Sequence, residues 1–126
     1  MDHTKSFRRG LFLVRLALAA VFVTHGVIKF MDMPKTIAFF ATLGFGVFVV
    51  YFVATVEVLA GLLMLIGKFT ALAGYALAID MLVAIIKVRW PHGFVGGYEF
   101  ELVLLLCALG VAISGVGRPP EKTQSL

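Results

Sequence analysis

Between residues 45 and 66 the chain carries one side chain that is charged in water at neutral pH, Glu57, in an otherwise apolar run. Wound as a helix at about 1.5 Å per residue, such a run crosses the roughly 30 Å hydrocarbon core of a bilayer. Glu57 falls near its middle, and a carboxyl at that depth marks a functional site by default. Every other polar residue is placed relative to this one.

Composition points the same way, because 61% of the 126 residues are hydrophobic and 14% are charged. With a mean hydropathy of +1.04, the chain is too apolar for a soluble domain of its length. Three further runs, at residues 10–30, 69–86 and 98–116, are each near the length of a span. These runs predict an all-α integral membrane four-helix bundle that forms a single domain over residues 1–126. The first run contains Arg15, His25 and Lys29, and no small-residue cleavage site follows it. It is therefore expected to be retained rather than removed as a signal peptide.

Positive charges predict the orientation. Lys5, Arg8, Arg9, Lys68, Arg118 and Lys122 lie on one side of the spans, and Lys29, Lys35, Lys87 and Arg89 on the other. The richer side is expected to be cytoplasmic, which places both termini there. These flanks account for the net charge of +4, and nothing suggests a nucleic-acid partner. In the first outward loop, Asp32 can cap a short interfacial helix with Pro34 in its first turn and Gly44 as its stop. The Gly67-Lys68 break is a tight inner turn, so the second and third spans are antiparallel neighbours. Trp90 and Tyr98 in the second outward loop fit an aromatic belt. The tail from Arg118 to Leu126 reads as short, polar and mobile.

Counting along each span from its cytoplasmic end puts Arg15 about 9 Å deep and Glu57 and Asp80 about 16 to 18 Å deep. His25 and Glu101 come at about 24 to 26 Å, with Lys29, Lys87 and Glu99 near the outer edge. Charges in lipid are tolerated when they pair, so Arg15 is expected to reach Glu57, and the outer basic residues to meet Glu99 and Glu101. At 100° per residue Arg15, Phe22, Gly26 and Lys29 share one face of the first helix, with His25 at its margin. Asp80 and Lys87 mark an interior face of the third. Gly26, Gly61, Ala73, Gly74, Ala84 and Gly110 would permit close helix approach.

Several motifs, in order, resemble the DoxX family of small four-span bacterial membrane proteins. They are Arg15-Leu16 through His25-Gly26 and Lys29-Phe30, then Glu57, Gly61 and Leu65-Ile66-Gly67, then Met81-Leu82-Val83-Ala84-Ile85. His92-Gly93-Phe94 with Gly96-Gly97-Tyr98-Glu99 is similar to the family's outer loop, and Ser114-Gly115-Val116-Gly117-Arg118 to its closing turn. The resemblance spans about residues 10 to 118. Two departures are the missing proline near Gly44 to Gly46 and Pro119-Pro120 in place of a Ser-Leu-Asp-like element. The resemblance implies a multi-pass protein of the bacterial inner membrane associated with redox chemistry. Family relatives include a subunit of a thiosulfate:quinone oxidoreductase and a member of an oxidoreductase complex that counters oxidative stress.

Residue chemistry narrows that implication. A chain with Cys107 as its one cysteine cannot form an internal disulfide, and Cys107 itself reads as a small core residue. Haem b needs histidines facing each other at one depth, and His3, His25 and His92 offer at most one buried candidate. His25, His92, Glu99 and Glu101 suit zinc or iron by type, but no spacing supports a metal site, and none is predicted. A quinone or similar isoprenoid-like ligand needs hydrogen-bonding groups and a proton acceptor beside an apolar cleft. The predicted ligand-binding cluster is therefore Arg15, His25, Lys29, Glu57, Asp80, His92 and Glu101, with the catalytic residues unassigned.

Structural alternatives stand beside each of these roles. Arg15 with Glu57 could fix helix register, His25 and Lys29 could snorkel to headgroups, and Glu99 and Glu101 could complement a helix dipole. The sequence is compatible with three functions. The first is a membrane component of a quinone-linked oxidoreductase whose soluble partner holds the flavin, metal or reactive cysteine. The second is a non-catalytic accessory or assembly subunit of a larger complex, and the third a small transporter or proton pathway. Expected partners are membrane lipid and other protein subunits or further copies of the chain.

Overall fold

The computed structural model describes residues 3–115, and its helices are α1 (His3–Met31), α2 (Met33–Thr42), α3 (Val47–Ile66), α4 (Thr70–Ala84) and α5 (Glu99–Ser114). Among the described residues there is no strand. Four stretches are long and apolar enough to cross a membrane: His3–Met31, Val47–Ile66, Thr70–His92 and Phe94–Ser114. The predicted all-helical bundle of membrane-length helices is what the chain forms. The tail from Arg118 to Leu126, the charges at Arg118 and Lys122, and residue 116 of the last predicted span lie outside the described residues.

Local chemistry sets the breaks between helices. Asp32 caps α2 by accepting the Lys35 N–H at 3.3 Å, Pro34 occupies the first turn, and Gly44 at φ +86° reverses the chain. At the other end of the bundle Gly67, at φ +78°, ends α3 and donates its N–H to the Leu63 carbonyl at 2.9 Å. A left-handed residue is the usual helix stop, and it turns the chain directly into α4.

Packing sorts the four long helices into two tight pairs, α1 with α3 and α4 with α5, joined less extensively through α3 with α4 and α1 with α5. Glycines make the tight pairs. A Cβ at Gly26 would sit 2.6 Å from Val58 Cγ2 and 3.0 Å from the Ala54 carbonyl oxygen, and one at Gly61 would sit 2.7 Å from Val23 Cγ2. On the other pair, a Cβ at Gly74 would meet the Ala108 carbonyl oxygen at 2.6 Å. Such backbone approach is how helices associate where lipid removes the hydrophobic drive between them.

Gly110 departs from that expectation, since it is exposed and nothing lies within 4 Å of its would-be Cβ. It faces away from the partner helix. Gly110→Ala is accordingly expected to leave thermal stability in detergent unchanged or raise it by up to about 1 kcal/mol, the helix-propensity difference. A fall in the unfolding midpoint would show that this position is packed.

The tightly packed core includes Leu18, Phe22, Met64, Leu77 and Val111, each at most 1% exposed. It fills the half of the bundle nearer the chain termini. Outward faces are apolar as well, with Phe48, Leu72 and Ile113 all more than two-thirds exposed. An exterior made mostly of apolar side chains around a partly polar interior suits lipid as solvent.

Candidate functional site

The half of the bundle that carries α2 is less filled, and it encloses a cleft of about 570 Å³ between the two helix pairs. Its polar wall is built from His25 and Lys29 on α1, Glu57 on α3, Asp80 on α4, Lys87 and Arg89 beyond α4, and Glu101 on α5. The rest is apolar, including Phe22, Val56, Phe100 and Leu104. Phe52, Ile79 and Val83 line it and are also exposed, so the cleft opens sideways between α3 and α4, where lipid tails would lie.

Lys29 Nζ donates to Glu57 Oε2 at 2.8 Å, with the Glu57 side chain 4% exposed. The Asp80 carboxyl lies beside Glu57 and within the field of Lys29, and its Oδ2 is buried without a hydrogen-bond partner. One cation thus serves two carboxyls, and the trio is neutral when one carboxyl carries a proton. Nearer the α2 end, Arg89 Nε donates to Glu101 Oε1 at 3.0 Å, and Glu101 Oε2 is buried without a partner. Two residues of the cleft wall, Asp80 and Glu101, therefore each carry an orphaned carboxyl oxygen.

The structure assigns Glu57 a different partner from the one its sequence depth suggests. Gly26 faces Ala54 and Val58, while Gly61 faces Val23, so α1 and α3 run antiparallel in a register that sets Glu57 opposite Lys29. Arg15 lies roughly 15 Å further along, counting about ten residues at helical rise. Its Nε donates to the Met64 carbonyl at 2.9 Å, and its guanidinium packs on Gly67 and over the Phe12 ring. Arg15 therefore caps the negative end of α3 and stands outside the cleft.

His92 also stands outside it, on an exposed connection where its carbonyl closes on Gly97. Stacking of Trp90 on Tyr98 at 5.4 Å holds that connection in place. Glu99 Oε1 accepts the Gly96 N–H at 3.0 Å and forms no ion pair among the described residues, so it shapes the loop. Among the described residues no three His, Cys, Asp or Glu side chains group as metal ligands. Cys107 is half-buried and packs against the core.

The sequence cluster misses Arg89 and Lys87. Residues Ile85–Arg89 form a π-type turn, which holds one residue more than an α turn and rotates the succeeding residues by about 100°. That rotation brings Arg89 to Glu101, and Lys87 lies 5.8 Å from the Phe45 ring at the mouth of the cleft. Asp80 and Lys87 both line the cleft, as the interior face read from their spacing predicts, with Lys87 inside the π-type turn. No residue pattern in the chain announces the turn.

A model of the DoxX family matches residues 10–90, which include all the polar cleft residues except Glu101. A protein of Bacillus subtilis (strain 168) named "Putative oxidoreductase CatD" is 36% identical over 111 residues, covering 88% of this chain and 83% of that protein. No solved structure matches the chain. With four membrane-length helices and a family match across more than half of its residues, the chain is a multi-pass membrane protein and belongs to the DoxX family.

Proposed function

We propose that the chain is the membrane component of a quinone-linked oxidoreductase and that the cleft holds the quinone. The observation that carries this reading is the cleft itself: a volume of about 570 Å³, within the usual range for small-molecule sites, with an apolar lateral opening and the Lys29, Glu57 and Asp80 trio on its wall. An isoprenoid tail would enter between Phe52 and Val83 and leave the headgroup beside His25 and Asp80. A quinone takes up two electrons and two protons when it is reduced. The chain's part would be to exclude water, orient the headgroup and pass protons through its carboxyls, with a soluble partner subunit supplying the electrons from a flavin, metal or thiol. The name of the Bacillus relative is compatible with such a system.

The same reading puts the protein in the bacterial inner membrane with both termini cytoplasmic. Lys5, Arg8, Arg9 and Lys68 are all exposed at the terminal end, whereas Lys29 and Arg89 at the other end are taken up by Glu57 and Glu101.

Purified protein in lipid nanodiscs is expected to bind a short-chain benzoquinone saturably. His25→Ala should weaken that binding about five- to tenfold, the effect of one lost hydrogen bond. Val83→Trp, placed in the lateral opening, should slow association. Non-saturable binding, together with stoichiometric copurification of other subunits, would favour the accessory-subunit function instead.

A further inference from the structure

The two halves of the bundle differ in what can pass through them. Toward the termini, Leu18, Met64, Leu77 and Val111 are fully buried, Gly74 packs on the backbone of α5, and Arg15 is tied to the Met64 carbonyl. Toward α2, the cleft runs from Glu57 and Asp80 past Lys29 and His25 to Lys87, Arg89 and Glu101. Glu57 lies near the middle of α3, and Asp80 near the middle of the membrane-length stretch Thr70–His92, so packing rather than depth decides which end they communicate with.

We propose that the buried Glu57 and Asp80 carboxyls exchange protons with the α2 face of the membrane only, by a route through the cleft that passes Glu101. The orphaned oxygens support it, since Asp80 Oδ2 and Glu101 Oε2 are both buried, unpartnered and borne by residues of the cleft wall, and such atoms are usually satisfied by water or a ligand. Lys29 meets the carboxyl pair directly, and the other titratable groups on the same cleft wall are His25 from α1, Lys87 and Arg89 from the end of α4, and Glu101 from α5. On the terminal side the buried side chains are apolar apart from Thr70, about 15 Å along α4 from Asp80. For the quinone reading above, the consequence is that protons taken up or released in the cleft belong to the α2 side. The route itself needs no quinone, so loss of that reading would leave it standing.

A hydrophobic carbodiimide adds to a protonated carboxyl and leaves a stable N-acylurea, which mass spectrometry locates. In sealed, uniformly oriented proteoliposomes, the rate of modification at Glu57 or Asp80 is expected to change several-fold when the pH on the α2 face is shifted by one unit, and to ignore the same shift on the terminal face. Glu101→Leu should slow the response to α2-face pH at least several-fold, and an unaltered response would remove Glu101 from the route. Dependence on terminal-face pH, on both faces alike or on neither would overturn one-sided access.

Discussion

Lys29→Met is expected to destabilise the folded protein by about 3–5 kcal/mol, measured as a fall in the detergent unfolding midpoint. The substitution keeps the unbranched shape of the side chain, one atom shorter, but leaves Glu57, 4% exposed, beside Asp80 with its direct cationic partner gone. A buried charge without a counter-charge is among the costliest single defects a protein interior can hold, and hydrocarbon outside the bundle offers no relief. The loss is asymmetric: replacing both members by apolar groups removes the desolvation penalty as well. Lys29→Met combined with Glu57→Leu should therefore recover most of the lost stability while removing proton exchange at that position. A single variant as stable as the parent would show that Lys29 and Glu57 do not depend on each other.

Gly74→Ala is expected to cost about 1–3 kcal/mol, in the range for overpacking a filled interior. The added methyl carbon would lie 2.6 Å from the Ala108 carbonyl oxygen and 2.8 Å from Ala112 Cβ. Neither is the end of a flexible side chain, so α4 and α5 must separate. Because Asp80 and Glu101 stand on those two helices, the separation also widens the cleft on one side. Unfolding midpoints of Gly74→Ala and Gly110→Ala, compared in the same detergent, isolate the effect: the same chemical change is made on neighbouring helices with and without a facing backbone. Equal midpoints would contradict the close approach of α4 and α5.

Parts of the site were legible in the residues because membrane depth restricts what a charge can do. Glu57 at the middle of an apolar run had to face inward, as did Asp80, and the 100° spacing of Phe22, Gly26 and Lys29 identified the inner face of α1. Gly26, Gly61 and Gly74 were recognisable as contact residues by the same periodicity. Gly110 was not, since a small residue in an apolar helix reads alike whether it meets a neighbour or lipid. Arg15 and Glu57 looked like partners only on a ruler that starts every helix at one membrane level. The glycine contacts set the relative shift of α1 and α3, and no local pattern encodes it.

The chain by itself determined the number of membrane-length helices, the tight turn at Gly67, the capped helix after Asp32 and the need for an interior that tolerates carboxyls. Those features come from hydropathy, cap chemistry and the cost of charge in hydrocarbon, all of which act over a few residues. Tertiary structure alone decided that Lys29 rather than Arg15 answers Glu57, that a π-type turn swings Arg89 onto Glu101, and that the polar groups border a cleft in the α2 half of the bundle, open sideways between α3 and α4. The physical reason is that pairing across helices depends on their relative translation and rotation. Those are fixed by close backbone contacts at Gly26, Gly61 and Gly74, between residues far apart in sequence.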